Sequence, residues 1–128
     1  MNATDRDGYE VGSWVVATYG RRVRDVLVDL VEFTDMAARL VVKGRTSYDQ
    51  EETSRLAAEA ICHRIGEAVA RLPDAFINDH RDIEWRKIRG MRNIIAHSYA
   101  RVDHGILWNA LDQRMPELAA YVRDLLSH

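Results

Sequence analysis

The sequence contains a single cysteine, two prolines and no apolar run long enough to cross a membrane. One cysteine, Cys62, excludes an intrachain disulfide and fits a reducing compartment. The first ten residues, MNATDRDGYE, are polar and acidic and lack the apolar centre of a signal peptide. Because a membrane-spanning helix needs roughly 20 consecutive apolar residues, we expect a cytoplasmic protein without a membrane segment.

The scarcity of proline favours long helices over the 128 residues, a length that suits one domain with its own core. Apolar residues recur at intervals of three and four, and no strand-like alternation bounded by turns competes with them. This pattern predicts an all-α fold, a bundle of four or five helices. The predicted helices span residues 21–43, 49–72, 84–99 and 103–126, and the last of them is kinked or restarted at Pro116.

Capping residues indicate where these helices begin and end. Gly44 is a plausible stop for the first helix. Ser47 or Asp49 could cap the second helix, and Asp82 could cap the third, because short polar side chains accept hydrogen bonds from the first turn.

Two further features concern the middle of the chain. Residues 74–83 are expected to form a connecting loop anchored by Phe76 and Ile77. Gly66 interrupts the second helix at a cost of about 1 kcal/mol relative to alanine. That cost predicts the close approach of a neighbouring helix at Gly66.

Residues 1–18 are predicted to be an N-terminal extension, followed by one domain over residues 19–128. The first eight residues have the composition of a disordered segment. Trp14, Val15 and Val16 are apolar and should dock on the domain, either as the start of the first helix or as a short arm.

The distribution of charge is more informative than the net charge of −2. Residues 85–101 include five cations and no acidic residue, which indicates a local anion-binding surface on an otherwise acidic protein. The cations are Arg86, Lys87, Arg89, Arg92 and Arg101.

The third predicted helix also carries a spaced set of polar residues. At about 100° per residue, Asn93 and His97 share one face, whereas Arg92 and Tyr99 share another ridge. Arg92 and His97 lie about 140° apart on a straight helix. Either the helix end distorts near Ser98, or a second copy of the chain completes the site.

These residue types suit RNA cleavage. Histidine can take a proton from the 2′-hydroxyl or give one to the leaving 5′-oxygen, and arginine can hold the phosphate as charge builds. On spacing alone, a solvated helix face is the commoner explanation of such residues. His63, His80, His104 and His128 do not cluster in the sequence, and we expect no metal site.

The stretch Arg92-Asn93-Ile94-Ile95-Ala96-His97, followed by Ser98-Tyr99, resembles the HepT-like branch of the HEPN superfamily. The superfamily motif is an arginine, a short spacer and a histidine, and the HepT-like form adds the tyrosine. The blocks IGEAVARLP, IEWRKIRGMRN and ILWNALDQRMPEL also look like this branch.

The resemblance implies a helical HEPN bundle that homodimerises through the motif-bearing helices. It implies a metal-independent endoribonuclease without a cofactor, in which Arg92 and His97 are catalytic and Asn93 orients groups in the cleft. Arg86, Lys87, Arg89 and Arg101 are the candidate RNA-binding residues.

The resemblance also implies a toxin that is neutralised by a nucleotidyltransferase antitoxin of the MntA type. That antitoxin would transfer AMP to Tyr99 and so put bulk and negative charge into a cleft for RNA phosphate. Two alternatives stay open at this point: a non-catalytic module that binds nucleotide or RNA, and an accessory subunit of the transferase.

Overall fold

The computed structural model describes residues 11–97 and 102–128. Within these ranges the chain forms eight α-helices, one π-helical segment and no β-strand, which confirms the predicted all-α fold. The first four helices are α1 (Ser13–Tyr19), α2 (Arg21–Val42), α3 (Arg45–Gln50) and α4 (Glu52–Ala70). They are followed by α5 (Asp74–Asp79), α6 (Trp85–His97), α7 (His104–Asn109), the π-helical segment Ala110–Arg114 and α8 (Met115–Leu126).

The four longest helices build the bundle. Helix α2 packs against both α4 and α8, and α4 packs against α6. Apolar residues at helical spacing face inward and are removed from water, which is the main stabilising term in folding. The largest fully buried side chains are Tyr48, Phe76, Leu27, Leu30, Ile65, Leu111, Met115 and Leu118. None of the described helices is both long enough and apolar enough to cross a membrane.

Trp14, Val15 and Val16 lie in α1, a separate short helix that ends before Gly20, so they do not begin the first predicted helix at residue 21. The Trp14 backbone N–H donates to the His128 carbonyl oxygen at 3.0 Å, and the Gly12 N–H donates to the Leu126 carbonyl oxygen at 3.0 Å. Gly12 has a φ of 65°, a left-handed conformation that favours glycine. Val15 is fully buried, so α1 lies against the end of α8. The first eight residues lie outside the described residues.

The prediction of a second helix over residues 49–72 is wrong at its start. The chain forms α3 and α4 with a break at Glu51, whose backbone is extended (φ −108°, ψ 111°). Glu51 occupies the N-cap position of α4, and its carboxylate accepts hydrogen bonds from both Ser47 and Ser54. Ser47 and Asp49 therefore lie inside α3 and do not cap the long helix.

Two other expectations near the site are corrected. The expected loop at residues 74–83 contains α5, because Phe76 is fully buried and holds this short segment against the core. Helix α6 starts at Trp85, and the Glu84 carbonyl accepts the first helical hydrogen bonds. Glu84 rather than Asp82 is therefore at the N-cap position.

Other helix ends agree with the sequence. Gly44 follows α2 with a φ of 92°, and its N–H donates to the Val41 carbonyl oxygen at 2.9 Å. Pro116 lies in the first turn of α8, directly after the π-helical segment, so the last helix restarts there as predicted.

A polar and aromatic cluster joins α1, α5 and α8 at the end of the bundle where α6 begins. The Tyr19 hydroxyl donates to Asp79 Oδ2 at 2.5 Å and lies 3.3 Å from His80 Nε2. His80 Nδ1 lies 2.8 Å from the Tyr121 hydroxyl. Burial lowers the pKa of His80 despite the nearby Asp79 and Asp82, and burial and the Asp79 hydrogen bond raise the pKa of Tyr19 to about 12.

This cluster predicts a stability that depends on pH. The folded protein favours neutral His80, so below roughly pH 6.5 the unfolded chain binds a proton more readily than the folded chain. We therefore expect the free energy of unfolding to fall as the pH drops through this range. Urea denaturation at about pH 7.5 and about pH 5.5 measures the difference.

His80→Gln is the control for this prediction, because glutamine can keep hydrogen bonds but does not titrate. The variant should show a smaller loss of stability between the two pH values than the wild type. Equal losses in both proteins would mean that another group causes the pH dependence.

Candidate active site

Helix α6 carries the motif residues and is anchored to the core at its start. Trp85 and Ile88 are buried, and the Trp85 indole N–H donates to the His80 carbonyl oxygen at 2.6 Å. The helix continues to His97, but the described residues do not include the side chains of residues 94–97 or any part of residues 98–101. Tyr99 and Arg101 therefore lie outside the described residues, and His97 is placed only as the last residue of α6.

Arg92 is positioned by a close contact between α4 and α6. A Cβ atom on Gly66 would lie 3.0 Å from the Arg92 backbone nitrogen and 3.1 Å from the Arg92 Cβ. It would also lie 3.3 Å from the Arg89 carbonyl oxygen. These distances are tighter than ordinary van der Waals contact, so the predicted close approach of a neighbouring helix at Gly66 is confirmed.

The Arg92 side chain lies against α4 and is two-thirds buried. Its Nη1 donates to Glu67 Oε1 at 3.3 Å, with 33% of the arginine side chain and 50% of the glutamate side chain exposed. An ion pair this exposed contributes about 0–1 kcal/mol. The bond to Glu67 uses one of the five guanidinium N–H donors. Glu67 therefore orients Arg92, and the remaining N–H donors of Arg92 can still bind a phosphate.

Asn93 lies on a different face of the same helix. It is exposed, and seven residues separate it from Arg86, so the two lie about 20° apart around the axis. His97 follows Asn93 by four residues and shares its ridge in the helical register. Arg92 is one residue, about 100°, away from that ridge, on the side that faces α4.

The cations of α6 fall into two groups. Lys87 Nζ lies 2.6 Å from Glu84 Oε2, and Arg114 lies 3.3 Å from the same carboxylate. The two cations hold the pKa of Glu84 below its usual value, with the Lys87 hydrogen bond as the larger cause. Arg86 and Arg89 are exposed and have no ion pair with any described residue. These two cations are available to bind an external anion.

The chain is fixed again where it enters α7. Asp103 caps this helix and accepts from the Gly105 and Ile106 N–H groups at 2.9 Å and 3.1 Å. The Tyr48 hydroxyl donates to the His104 carbonyl oxygen at 2.6 Å. His104 Nε2 lies 3.6 Å from Glu59 Oε2, so a largely buried carboxylate of α4 faces the start of α7. Both ends of the motif segment are thus attached to α4.

The cysteine takes no part in this site. Cys62 is fully buried in α4, and burial raises the pKa of its thiol to about 12. A thiol with this pKa is neutral near pH 7 and is a poor nucleophile or metal ligand. Among the side chains that the structure describes, no three His, Cys, Asp or Glu residues lie close enough together to hold a metal ion.

Glu67 and Glu59 were not predicted from the sequence. Glu67 follows Gly66, whose cost within a helix did indicate a helix–helix contact at this position. Glu67 is an acidic residue beside that contact and opposite a helix rich in cations, and this combination could have identified Glu67 as a partner for one of those cations. Nothing in the sequence pattern pairs Glu59 with His104, because that contact depends on the path of the chain after α6.

The fold and the site define a class of protein: an all-α bundle in which one helix bears a cationic stretch without acidic residues and an arginine, Arg92, five residues before a histidine, His97. The family model described as "Ribonuclease HepT-like" matches residues 25–125. The chain therefore belongs to the ribonuclease HepT-like family, which confirms the resemblance seen in the sequence.

Several curated proteins are similar to the chain. It is 39% identical over 62 residues to "Putative RNase TTE0752" of Caldanaerobacter subterraneus, covering 48% of this chain and 55% of that protein. It is 37% identical over 54 residues to "Probable ribonuclease HepT" of Thermococcus cleftensis, covering 42% of this chain and 49% of that protein. The chain spans about half the length of these two relatives. No solved structure gives a significant match.

Proposed function

We propose that the protein is a cytoplasmic, metal-independent endoribonuclease and the toxin of a toxin–antitoxin pair. The observation that carries this proposal is the family match over residues 25–125, which includes the whole of α6. The contact of Arg92 with Gly66 and Glu67 supports it, because a phosphate-binding arginine must be held in place before substrate arrives.

In the proposed reaction, His97 takes the proton of a ribose 2′-hydroxyl. The 2′-oxygen forms a bond to the adjacent phosphorus, and the bond to the 5′-oxygen breaks as that oxygen receives a proton. The products are a 2′,3′-cyclic phosphate and a 5′-hydroxyl. Arg92 stabilises the negative charge that develops on the phosphate oxygens. Asn93, on the same ridge as His97, would orient groups in the cleft.

Two copies of the chain would form the complete site. Arg92 faces α4 within one copy, whereas His97 shares the ridge of exposed Asn93 in the helical register. A two-fold axis beside this ridge would bring two arginines and two histidines to one cleft. One His97 could then act as the base while the other acts as the acid.

Regulation by a nucleotidyltransferase of the MntA type is the second part of the proposal. The transferase would join the Tyr99 oxygen to the α-phosphate of ATP, with pyrophosphate as the leaving group. Tyr99 lies two residues beyond α6, so an attached AMP would be close to the proposed cleft. Its negative charge would compete with RNA phosphate for the cations of α6.

The test of this function is a cleavage assay in excess EDTA. Purified protein, shown by intact mass to carry no modification on Tyr99, is incubated with RNA labelled at its 5′ end. We expect cleavage at internal positions and fragments that end in a 2′,3′-cyclic phosphate. The same RNA with a 2′-O-methyl group at the cleaved position should resist, because no 2′-hydroxyl can attack.

The opposite results are informative. RNA that is bound but not cut, over a range of RNA sequences, would favour the non-catalytic binding module. Cleavage that needs a divalent cation, or that persists with the 2′-O-methyl group, would overturn the proposed chemistry.

A further inference from the structure

A cavity of about 230 Å³ lies beside α6, between the end of α4 and the short helix α5. Val69 and Leu72 at the end of α4 and Trp85 at the start of α6 lie beneath it and are buried, and Ile77 on α5 is the partly exposed apolar side chain, so the accessible lining is mainly polar. A second groove of about 400 Å³ adjoins it and shares Ile77 and Trp85. Both lie beside the first turns of α6, and Arg89 is the lining residue nearest to Arg92 along the helix.

The rim of this cavity is polar and lies on two elements. Arg86 and Arg89 come from α6, and Asp74 and Asn78 come from α5. Arg86 and Arg89 have no ion pair with a described residue, although Asp74 lines the same cavity. The two guanidinium groups therefore keep their hydrogen-bond donors for an external anion.

The position of Arg89 connects this cavity with the motif. Arg89 precedes Arg92 by three residues, so the two lie roughly one helical turn, about 5 Å, apart along the axis. Gly66 lies close to both residues, so both are at the contact between α4 and α6. Arg89 and Arg92 can thus contact neighbouring phosphates of a single strand.

We propose that this cavity is a subsite for the nucleotide next to the cleaved phosphate of single-stranded RNA. This inference rests on the proposed ribonuclease function. The base enters the cavity and packs against the partly exposed side chain of Ile77. Asn78 and Asp74 offer a donor and acceptors to the edge of the base, and Arg86 and Arg89 bind the flanking phosphates.

Single-stranded RNA is favoured over other anions by the combination of these features. A free phosphate would use the arginines but not the acceptor oxygens of Asp74 or the apolar side chain of Ile77. An acidic peptide would use the cations but would gain nothing from Asp74. A base with its phosphate can use Ile77, the polar groups of Asp74 and Asn78 and the adjacent cations together, and single-stranded RNA exposes its bases for such contacts.

The first experiment measures binding to the His97→Ala protein, so that turnover does not interfere. The probe is a fluorescent six-nucleotide RNA, followed by anisotropy at several salt concentrations. Adding Arg89→Gln should weaken binding at least about tenfold, as expected for the loss of a charge-assisted hydrogen bond. The logarithm of the binding constant falls linearly with the logarithm of the salt concentration, and each phosphate contact that is lost should make this slope shallower by about 0.7.

Arg39→Gln is the matched control, because Arg39 is an exposed arginine in the last turn of α2. It removes the same charge from the protein and should change binding by less than about twofold, as expected for a remote charge screened by salt. Equal losses in the Arg89→Gln and Arg39→Gln proteins would overturn the subsite and indicate general electrostatic attraction.

A second variant tests the cavity itself. Asn78 is exposed, so Asn78→Trp can fill the cavity without changing the charge or removing a core side chain. It should weaken binding of the six-nucleotide RNA but leave the affinity for inorganic pyrophosphate unchanged, because that anion has no base. Equal RNA binding by Asn78→Trp and the parent protein would overturn the inference.

Cleavage by the protein with native His97 separates this inference from the proposed function. RNA that is cut equally well by the Arg89→Gln and Asn78→Trp proteins would leave the nuclease in place and overturn the subsite. RNA that binds through Arg89 but is never cut would instead overturn the proposed catalysis.

Discussion

Replacing His97 by alanine should lower the rate of RNA cleavage by about 10²–10⁴-fold, the usual contribution of a general acid or base. The fold should be retained, because His97 is the last residue of α6 and the helix is anchored at its other end by Trp85 and Ile88. Initial rates in excess EDTA measure the effect, and thermal unfolding checks the fold. RNA affinity should change much less than the rate.

The control for this variant is His128→Ala, which removes an exposed histidine at the C-terminal end. It should cleave RNA at the wild-type rate. Arg92→Ala should also lower the rate by about 10²–10³-fold, because it removes a donor to the developing charge. Undiminished cleavage by His97→Ala would remove this residue from the proposed chemistry, whatever the Arg92 variant does.

The long elements of the fold could be predicted because their patterns repeat over several turns. The apolar stripe of α2 continues for 22 residues, and the prediction of residues 21–43 agrees with Arg21–Val42 within one residue. Helices α3 and α5 have six residues each, which is less than two turns. A helix this short is not stable alone, so its formation depends on contacts such as that of Phe76 with the core.

The candidate site was predictable to a similar extent. Helical periodicity alone places Arg92 and Asn93 on different faces of α6, and the structure has Arg92 against α4 and Asn93 exposed. The ion pair with Glu67 was not predictable, since it depends on how α4 and α6 are aligned. That alignment results from the packing of many side chains and is not encoded in either helix alone. Homodimerisation and the role of Tyr99 stay predictions.

Gly66 and Gly90 provide a comparison of two glycines in neighbouring helices. Alanine is normally better than glycine inside a helix by about 1 kcal/mol. At Gly66 the added Cβ would meet the Arg92 backbone nitrogen at 3.0 Å, and such overpacking typically costs about 1–3 kcal/mol. At Gly90, in α6, an added Cβ has no neighbouring atom within 4 Å. We therefore expect Gly66→Ala to destabilise the protein and Gly90→Ala to stabilise it by about 0.5–1 kcal/mol.

The same pair of variants tests whether the α4–α6 contact serves the site as well as the fold. To accommodate the added Cβ, α6 must move away from α4 at Arg92 by a few tenths of an ångström. A displacement of about 1 Å near a reacting group can lower a rate by roughly 10²-fold, so we expect a smaller but measurable effect. Gly66→Ala should therefore lose cleavage activity even at temperatures where urea denaturation shows that it is fully folded. If Gly66→Ala instead gains stability as Gly90→Ala does, α4 and α6 are not held at the close distance on which the position of Arg92 depends.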